Sequence, residues 1–468
     1  MPDTPLYFHT ITELAALIKS QQLSPVEVTR ALLERIAQLD GRYKSYATVM
    51  ADQALDAARV AERDIRAGTY RGPLHGVPVA VKDLCFTKGV RTMGGTKALA
   101  DHVSNFDATV VTRLHAAGAI LLGKLNLTEG AMGGYHPDFA IPANPWHAER
   151  YAGASSSGSG VATAAGLCFG SLGSDTGGSI RFPAAACGIV GLKPTWGRVS
   201  RYGVLALAES LDHVGPMTRS TLDAAIMLQA IAGHDPHDPT SLLEPVPDMV
   251  TGIASGIIGV RIGFDAQYAT HGVDPELAAA VVAGVRVLES LGATIVPVQL
   301  PDLAPYLAAW PTLCTAEAVT AHTATYPSRR HEYGPWFRGW LDLGASVSGP
   351  DYAHANNLRA ACNGLLRAVW QPIDALACPA MPTPPFPVTP EGLYGPMPDG
   401  GFNMARLRFT APYNFNGAPT LSVPCGLSRD GLPLSLQFVG KHLGELLLCR
   451  IGHAYEQATE WHTLRPPV

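Results

Sequence analysis

Hydrophobic and polar positions follow one another along this chain in segments that predict helices and strands in turn. Residues 24–27, Ser-Pro-Val-Glu, have the N-cap serine, first-turn proline and third-position glutamate of a helix start. The segment GVPVAVKD at 76–83 is short, β-branched and bounded by glycine and aspartate, which predicts a strand. We expect Asp107 to cap a further helix, and GAILLGKLN at 118–126 to form the next buried strand.

The same order recurs near residue 260. GVRIGF predicts a strand, Asp274 opens a helix that ends at Gly292, and ATIVPV predicts another strand. Residues 301–371 are expected to be mainly helical, and the Pro- and Gly-rich segment 379–401 to be a long surface loop. Strands that alternate with helices in this way indicate an α/β sandwich with a largely buried sheet.

Composition and charge narrow the function classes. The chain has 468 residues, of which 47% are hydrophobic, so it can bury a large core. The net charge of -5 comes without a basic block, which argues against nucleic-acid binding. No apolar run approaches the ~18 residues of a membrane span, and the N-terminus lacks the features of a secretory signal. Eight scattered cysteines without a CxxC pair indicate reduced thiols. We therefore expect a cytoplasmic protein that binds neither nucleic acid nor membrane.

Candidate chemistry concentrates in the Gly- and Ser-rich run at 153–179. Its apolar residues would have no place in a solvated linker, so we interpret the run as backbone built for close approach to a reacting atom. Within it, the two glycines of DTGGSIR free the backbone ahead of Ser179, which makes Ser179 the candidate nucleophile. Asp175 and Arg181 are expected to fix this loop in place. The amides expected to form an oxyanion hole are those of Thr176, Gly177, Gly178 and Ser179.

A serine nucleophile needs a neighbouring base. No histidine lies near Ser179 in the sequence, the closest being His147 and His213, so a histidine base remains an alternative. The other candidate is Lys82, at the end of the VPVAVKD strand, where burial could hold the amine neutral. An alternative role for Lys82 is a surface ion pair with Asp83.

Other catalytic motifs are absent from the sequence. It contains no HExxH and no zinc-type spacing of histidine and cysteine, and no serine lies in GxSxG. The segment GAILLGK at 118–124 resembles the start of a phosphate-binding loop, but Leu125 stands where the metal-binding hydroxyl would be. We therefore expect neither a metal nor an organic cofactor.

Taken together, Lys82, the serine-rich run and DTGGSIR closely resemble the amidase signature family. Further segments that resemble the family in the expected order are LHGVPVAVKD (74–83), GAILLGKLNLTEGAMGG (118–134), ANPWHAERYAGASSSGSG (143–160), SDTGGSIRFPAAACGIVGLKPTWGRVS (174–200), SLDHVGPMTRS (210–220) and the C-terminal 410–440. The resemblance covers nearly the whole chain and is weakest between 235 and 400. It implies one α/β/α sandwich with a central mixed, mostly parallel, twisted sheet flanked by helices.

The resemblance also implies an organisation along the chain. One domain is expected over 1–468, with N-terminal helices to about 70, a signature core to about 235, a variable substrate-shaping region to about 400 and a C-terminal core segment beyond it. For the assembly, a homodimer is the expectation.

The family resemblance implies a Ser–cisSer–Lys triad. Ser179 would be the nucleophile, Lys82 the base, and Ser155 the bridging serine on a cis peptide bond after Ala154. The substrate-binding residues that the resemblance implies are Met132, Gly133, Gly134, Tyr135, Gly153 and Ala154. Ala154 and Ser157 replace glycines that the family often has, which leaves the triad positions filled.

The implied activity is hydrolysis of a small carboxylic amide by acyl transfer to Ser179, with water as the second substrate. A carbamate or ureide is a related alternative. The runner-up is the glutamine-hydrolysing component of a tRNA-dependent amidotransferase. That component usually has a Gly-Ser-Ser-type turn where this chain has 132–136, and an acidic, tyrosine-containing stretch where this chain has 402–419, so we favour a free-standing amidase.

Overall fold

The computed structural model describes residues 5–398 and 403–467. Within these ranges eleven strands form one sheet. In chain order the strands are β1 (Tyr46–Val49), β2 (Pro78–Lys82), β3 (Ile120–Leu125), β4 (Gly170–Asp175), β5 (Val190–Lys193), β6 (His213–Thr218), β7 (Arg261–Phe264), β8 (Thr294–Pro297), β9 (Ala375–Pro379), β10 (Thr420–Leu427) and β11 (Pro433–Gly440). Their order across the sheet is β1-β3-β2-β4-β6-β5-β10-β11-β9-β7-β8.

Helices fill most of the connections between these strands. They are α1 (Ile11–Lys19), α2 (Pro25–Tyr43), α3 (Ala51–Arg66), α4 (Thr109–Ala116), α5 (Ser157–Ala164), α6 (Arg181–Cys187), α7 (Thr221–Ile231), α8 (Met249–Gly252), α9 (Ala266–Thr270), α10 (Pro275–Ser290), α11 (Ala304–Leu307), α12 (Ala309–Ala321), α13 (Pro335–Ala345), α14 (Gly349–Val369), α15 (Pro390–Tyr394), α16 (Ala411–Phe415) and α17 (Glu445–Gln457). The α/β fold class is therefore confirmed.

The sheet is mixed, as expected, but it is not mostly parallel. Of its ten strand pairings, four are parallel and six are antiparallel. The reason is visible at β6, which lies between β4 and β5 and runs antiparallel to both. Strands β4 and β5, which α6 connects, thus run in the same direction but do not pair with each other. The alternation of strands and helices along the sequence does not reveal that β6 is inserted between them.

Local predictions can be compared with the observed elements. The start of α2 has the predicted capping box, with the Ser24 hydroxyl accepting from the Glu27 amide and the Glu27 side chain from the Ser24 amide. The prediction for Asp107 is wrong. Helix α4 begins after Ala108 without a side-chain cap, and the Asp107 carboxylate accepts instead from the Lys88 amide. The expected loop at 379–401 contains the short helix α15, and its last residues, from 399, lie outside the described ranges.

The hydrophobic core lies around the sheet. Every residue of β2, β3, β4, β5, β6, β9 and β11 is buried, so both faces of this part of the sheet are covered. A second, smaller apolar cluster surrounds Trp310, Phe337 and Trp340 of α12 and α13, which pack against each other. No helix in the described ranges is long and apolar enough to cross a membrane.

Candidate active site

Two parallel strands bring the predicted site residues to one edge of the sheet. Lys82 is the last residue of β2 and Asp175 the last residue of β4, and these strands pair in parallel with Val81 opposite Leu172. Because the carboxyl ends of parallel strands meet at the same edge, Lys82 faces the loop that follows β4. Residues that are far apart in the sequence thus form one site.

The ammonium of Lys82 is surrounded by serine hydroxyls. Its Nζ lies 2.6 Å from Ser155 Oγ, 2.9 Å from Ser174 Oγ and 3.0 Å from Ser156 Oγ. The side chain is buried, with 1% of the residue exposed. Three neutral acceptors thus hold the nitrogen in place without supplying the negative charge that would keep it protonated.

Burial lowers the pKa of Lys82 to about 7, although the charges of Asp212 and Asp175 act in the opposite direction. Asp83, the next residue, does not pair with Lys82. Its carboxylate lies 3.1 Å from the Nζ of Lys124, and both of these side chains are fully buried. The alternative of a surface Lys82–Asp83 pair is therefore wrong.

The bridging and nucleophilic serines lie in the same cavity. The Ala154–Ser155 peptide bond is cis, as the family resemblance implies for the bridging position. Ser155 and Ser179 both line a cavity of about 600 Å³. Among the described residues the Ser179 hydroxyl has no hydrogen-bond partner, and its backbone carbonyl accepts from the Ser156 amide at 3.4 Å. The Ser179 hydroxyl is therefore available to a bound molecule.

Asp175 and Arg181 form a buried clasp around the Ser179 loop. Arg181 donates from Nη2 to Asp175 Oδ1 at 2.7 Å and from Nε to Oδ2 at 2.9 Å. Asn414 donates to the same carboxylate. Burial disfavours the charged carboxylate, but Arg181, followed by Lys193 and Asn414, outweighs it and holds the pKa of Asp175 well below its usual range. The Asp175 carboxylate thus bonds both to Arg181 and to the amides of Gly178 and Ile180 in the Ser179 loop.

The clasp changes the expected set of oxyanion-hole donors. The Gly178 amide donates to Asp175 Oδ1 at 2.8 Å, so it already has an acceptor. Within the described ranges the amides of Thr176, Gly177 and Ser179 have none. Three of the four expected amides thus have no acceptor among the described residues. Gly178 instead allows the backbone to turn, since its φ of +137° is one that residues with a side chain rarely adopt.

Asp212 is a buried carboxylate that the sequence did not single out. It accepts from the Thr176 hydroxyl at 2.5 Å and from the amides of Leu207 and Ala208. Burial raises its pKa to about 6, while these donors and Arg201 act to lower it. Asp212 therefore anchors Thr176 and places a negative charge near Lys82.

The alternative of a histidine base finds no support in the geometry. The Nδ1 of His213 lies 2.7 Å from the carbonyl oxygen of Leu211 and 3.1 Å from that of Asp175. The ring of His147 accepts from the Glu149 amide. In the described part of the chain neither ring bonds to the serine hydroxyls. Burial lowers the pKa of His213 well below its usual value, which keeps it neutral.

The cavity at Ser179 has largely apolar walls. The region 301–400, expected to shape the pocket, supplies several of them, and Tyr151, Phe182 and Leu207 come from elsewhere. The contributing residues from that region include Trp310, Trp336, Met381, Phe386, Val388 and Leu393. Trp310 also donates from Nε1 to the Thr176 carbonyl at 3.0 Å. The same indole that lines the cavity therefore holds the loop of the nucleophile.

The six expected substrate-binding residues separate into two groups. Met132, Gly133 and Ala154 line the cavity of Ser179. Tyr135 and Gly153 line a neighbouring cavity of about 460 Å³ instead, and the Tyr135 hydroxyl donates to Ser157 at 2.7 Å. Gly134 lines neither.

The two cavities share a thin wall. Residues that line both are Gly133, Tyr151, Ala154, Val388 and Leu393. The ring of Trp336 packs on the backbone at Gly133, where an added Cβ would lie 2.2 Å from the indole. The absence of a side chain at Gly133 is therefore what lets Trp336 approach.

Sequence reasoning missed several residues at the site. Ser174 and Asp212 stand inside quoted family segments, but nothing in their local sequence distinguishes a hydroxyl or carboxylate that contacts the site from one that merely packs. The arginines at 406 and 408 line the cavity. Their spacing of two was visible in the sequence, but the way in which their segment meets the pocket was not.

Comparison with known proteins agrees with this geometry. The sequence model of the family Amidase matches residues 27–449. A protein of Mycobacterium tuberculosis named as an amidase, AmiD, is 48% identical, with 98% of this chain and 96% of that protein covered. A glutamyl-tRNA(Gln) amidotransferase chain of Geobacter metallireducens is 40% identical over 98% of this chain and 99% of its own. The crystal structure of a bacterial aryl acylamidase of the amidase signature family has a TM-score of 0.89 at 27% identity, with 98% of each chain covered. The chain thus belongs to the Amidase family, whose members hydrolyse the C–N bonds of amides.

Proposed function

We propose that this protein hydrolyses small amides through a Ser179 acyl-enzyme, with Ser155 and Lys82 as the proton relay. The observation that supports this most directly is the hydrogen bond of 2.6 Å between Lys82 Nζ and Ser155 Oγ, in the cavity where the Ser179 hydroxyl is unpartnered among the described residues. A lysine with a pKa of about 7 is half neutral near physiological pH and can accept a proton.

The proposed reaction has two halves. Ser179 Oγ attacks the amide carbonyl carbon while its proton passes to Ser155, which gives its own proton to neutral Lys82. The same relay then returns a proton to the leaving nitrogen, the C–N bond breaks, and ammonia or an amine departs. Water attacks the ester carbonyl, loses its proton along the same route, and releases the carboxylic acid as Ser179 recovers its proton.

Negative charge that develops on the carbonyl oxygen needs preorganised donors. The amides of Thr176, Gly177 and Ser179 are the candidates, because the Gly178 amide is bonded to Asp175. Asp212 accepts from the Thr176 hydroxyl, and Trp310 donates to the Thr176 carbonyl, which belongs to the same peptide group as the Gly177 amide. We infer that this pair of contacts positions the oxyanion hole before substrate arrives.

The runner-up is a glutamine-hydrolysing component, as in the related amidotransferase proteins. Free glutamine carries an ammonium group that a dedicated site would pair with a carboxylate. In the described ranges no aspartate or glutamate lines the Ser179 cavity, so the ammonium of a bound glutamine would have no carboxylate partner there. This charge pattern favours a free-standing amidase over a glutaminase that works within a larger complex. We propose that it works without a partner protein or tRNA.

The test is a substrate panel on the purified protein alone. Aliphatic and aryl amides, a carbamate, a ureide and glutamine are compared by release of ammonia or amine. We expect turnover of simple amides that disappears in Ser179→Ala and nearly disappears in Lys82→Ala, with the unfolding temperature of each variant as the folding control. Activity confined to glutamine and dependent on a partner protein would reverse the assignment, and a mild effect of Lys82→Ala would remove the lysine from the relay.

A further inference from the structure

The cavity at Ser179 has an uneven distribution of charge. Its described lining includes two arginines, Arg406 and Arg408, and no carboxylate. Most of the remaining lining is apolar or aromatic. A cavity of about 600 Å³ with apolar walls and a few charged groups is typical of a site for a small organic molecule.

The two arginines differ in their own contacts. Arg408 donates from Nη2 to the His271 carbonyl at 2.5 Å and to the Tyr268 carbonyl at 3.4 Å, and its guanidinium lies over the Phe409 ring. These contacts join the segment before α16 to α9. The guanidinium of Arg408 therefore already has hydrogen-bond partners within the protein.

The guanidinium of Arg406 has different contacts. Its guanidinium lies over the Phe386 ring, 4.2 Å from the ring centre, and Phe386 stacks in turn on Tyr151 with 4.6 Å between centres. Within the described ranges its side chain forms no hydrogen bond and no ion pair, and the residue is exposed. The flat face of the guanidinium is covered while its N–H edge remains available, which is the arrangement that accepts a carboxylate with two parallel hydrogen bonds.

The position of Arg406 relative to the serines matters as much as its charge. Ser155 is buried at the inner end of the cavity, whereas Arg406 is exposed and so belongs to its open side. Aromatic and apolar side chains line the space shared by these two ends, among them Trp310, Trp336 and Phe386. A molecule that contacts both ends needs an apolar body between an amide and an anion.

We propose that the substrate is an amide with an apolar, aromatic-sized body and a carboxylate that pairs with Arg406. This inference rests on the proposed function and specifies its substrate class. The charge of Arg406 would contribute chiefly to substrate binding, since within the described ranges its guanidinium bonds to none of Ser179, Ser155 and Lys82. An ammonium at the same place on the substrate would be disfavoured by like charge.

The experiment uses the full-length enzyme and three phenylpropionamides that carry a carboxylate, a methyl group or an aminomethyl group at the para position. We expect wild type to prefer the carboxylate over the methyl compound, and the aminomethyl compound to be the poorest. Arg406→Gln should lower the ratio of kcat/KM for carboxylate over methyl by about tenfold, mainly through KM. Arg406→Glu should reverse the order of the two charged compounds.

Two controls separate this pairing from general effects. Arg59→Gln removes the same charge from α3, which does not line the cavity, and should leave the ratio unchanged. Arg406→Lys keeps the charge but loses the paired N–H edge, so an intermediate ratio is expected even if the Gln variant folds poorly. Two results would overturn the inference while the amidase function stands. One is that wild type hydrolyses the methyl compound and shows no preference for the carboxylate compound. The other is that Arg406→Gln and Arg406→Lys both leave the ratio of kcat/KM unchanged. Absence of hydrolysis with every amide of the panel would instead contradict the proposed function.

Discussion

The carboxylate of Asp83 lies 3.1 Å from the ammonium of Lys124, and both side chains are fully buried directly beside Lys82. Asp83 also accepts from the Met93 amide, and Lys124 donates to the Thr92 hydroxyl. The anion nearest in sequence to Lys82 is thus bound by another cation. As a result the hydrogen-bonding partners of Lys82 among the described residues are all hydroxyls, and burial lowers its pKa to about 7.

Lys124→Met should therefore impair catalysis, although Lys124 bonds to none of the proposed catalytic serines. The Asp83 charge would lose its partner and stabilise the protonated form of Lys82, so the pKa of Lys82 should rise and the acid limb of kcat/KM should move to higher pH. Loss of one partner of a buried ion pair also costs about 3–5 kcal/mol of unfolding free energy. In the matched double variant Asp83→Asn/Lys124→Met, the acid limb of the kcat/KM profile should return towards its wild-type pH. A pH profile of Lys124→Met that coincides with wild type would contradict this role.

The wild-type pH profile should itself report Lys82. Activity requires the neutral amine, so kcat/KM should fall as pH decreases through about 7, the pKa of Lys82. The Asp212 carboxylate raises that pKa, and Asp212→Asn should therefore lower it and move the limb to lower pH. The same variant weakens the anchor of Thr176 and should reduce the maximal rate by about tenfold. A reduced rate with an unmoved limb would indicate that Asp212 acts through Thr176 alone.

Arg181→Ala should destabilise the whole protein. It leaves the carboxylate of Asp175 buried without its principal partner, which costs about 3–5 kcal/mol. Urea unfolding measures the loss. Arg181→Ala/Asp175→Asn is the control, because removal of the charge should recover part of the stability without recovery of activity. Full recovery of activity in the double variant would show that the clasp does not hold the Ser179 loop.

Gly133→Ala should damage the pocket through its contact with Trp336. The added Cβ would lie 2.2 Å from the indole ring, and the backbone φ of +35° also disfavours a side chain. We expect KM for an aromatic amide to rise by about tenfold, because the ring must leave its place in the wall. Gly133→Ala/Trp336→Leu provides space for the new methyl group and should recover part of the loss. Equal KM values in the single and double variants would place the effect in the backbone.

Sequence patterns and family resemblance together predicted much of this site. The capping box of α2 and the strand that ends at Lys82 follow from local residues. The insertion of β6 between β4 and β5 could not be predicted, because the pairing of strands depends on contacts between distant segments. For the same reason Gly178 was expected to donate to an oxyanion, whereas its amide bonds to the neighbouring Asp175. Arg406 carries no local signal, since its importance comes from the pocket that its segment meets.

The wall shared by the two cavities has a consequence for the range of molecules that the protein can accommodate. The residues that line both cavities are Leu393, Val388 and Tyr151, together with Gly133 and Ala154, which have little or no side chain. Replacement of Leu393 by alanine would join two chambers that are now separate. Single changes among these shared residues should therefore enlarge the space open to a bound molecule without any change to Ser179, Ser155 or Lys82.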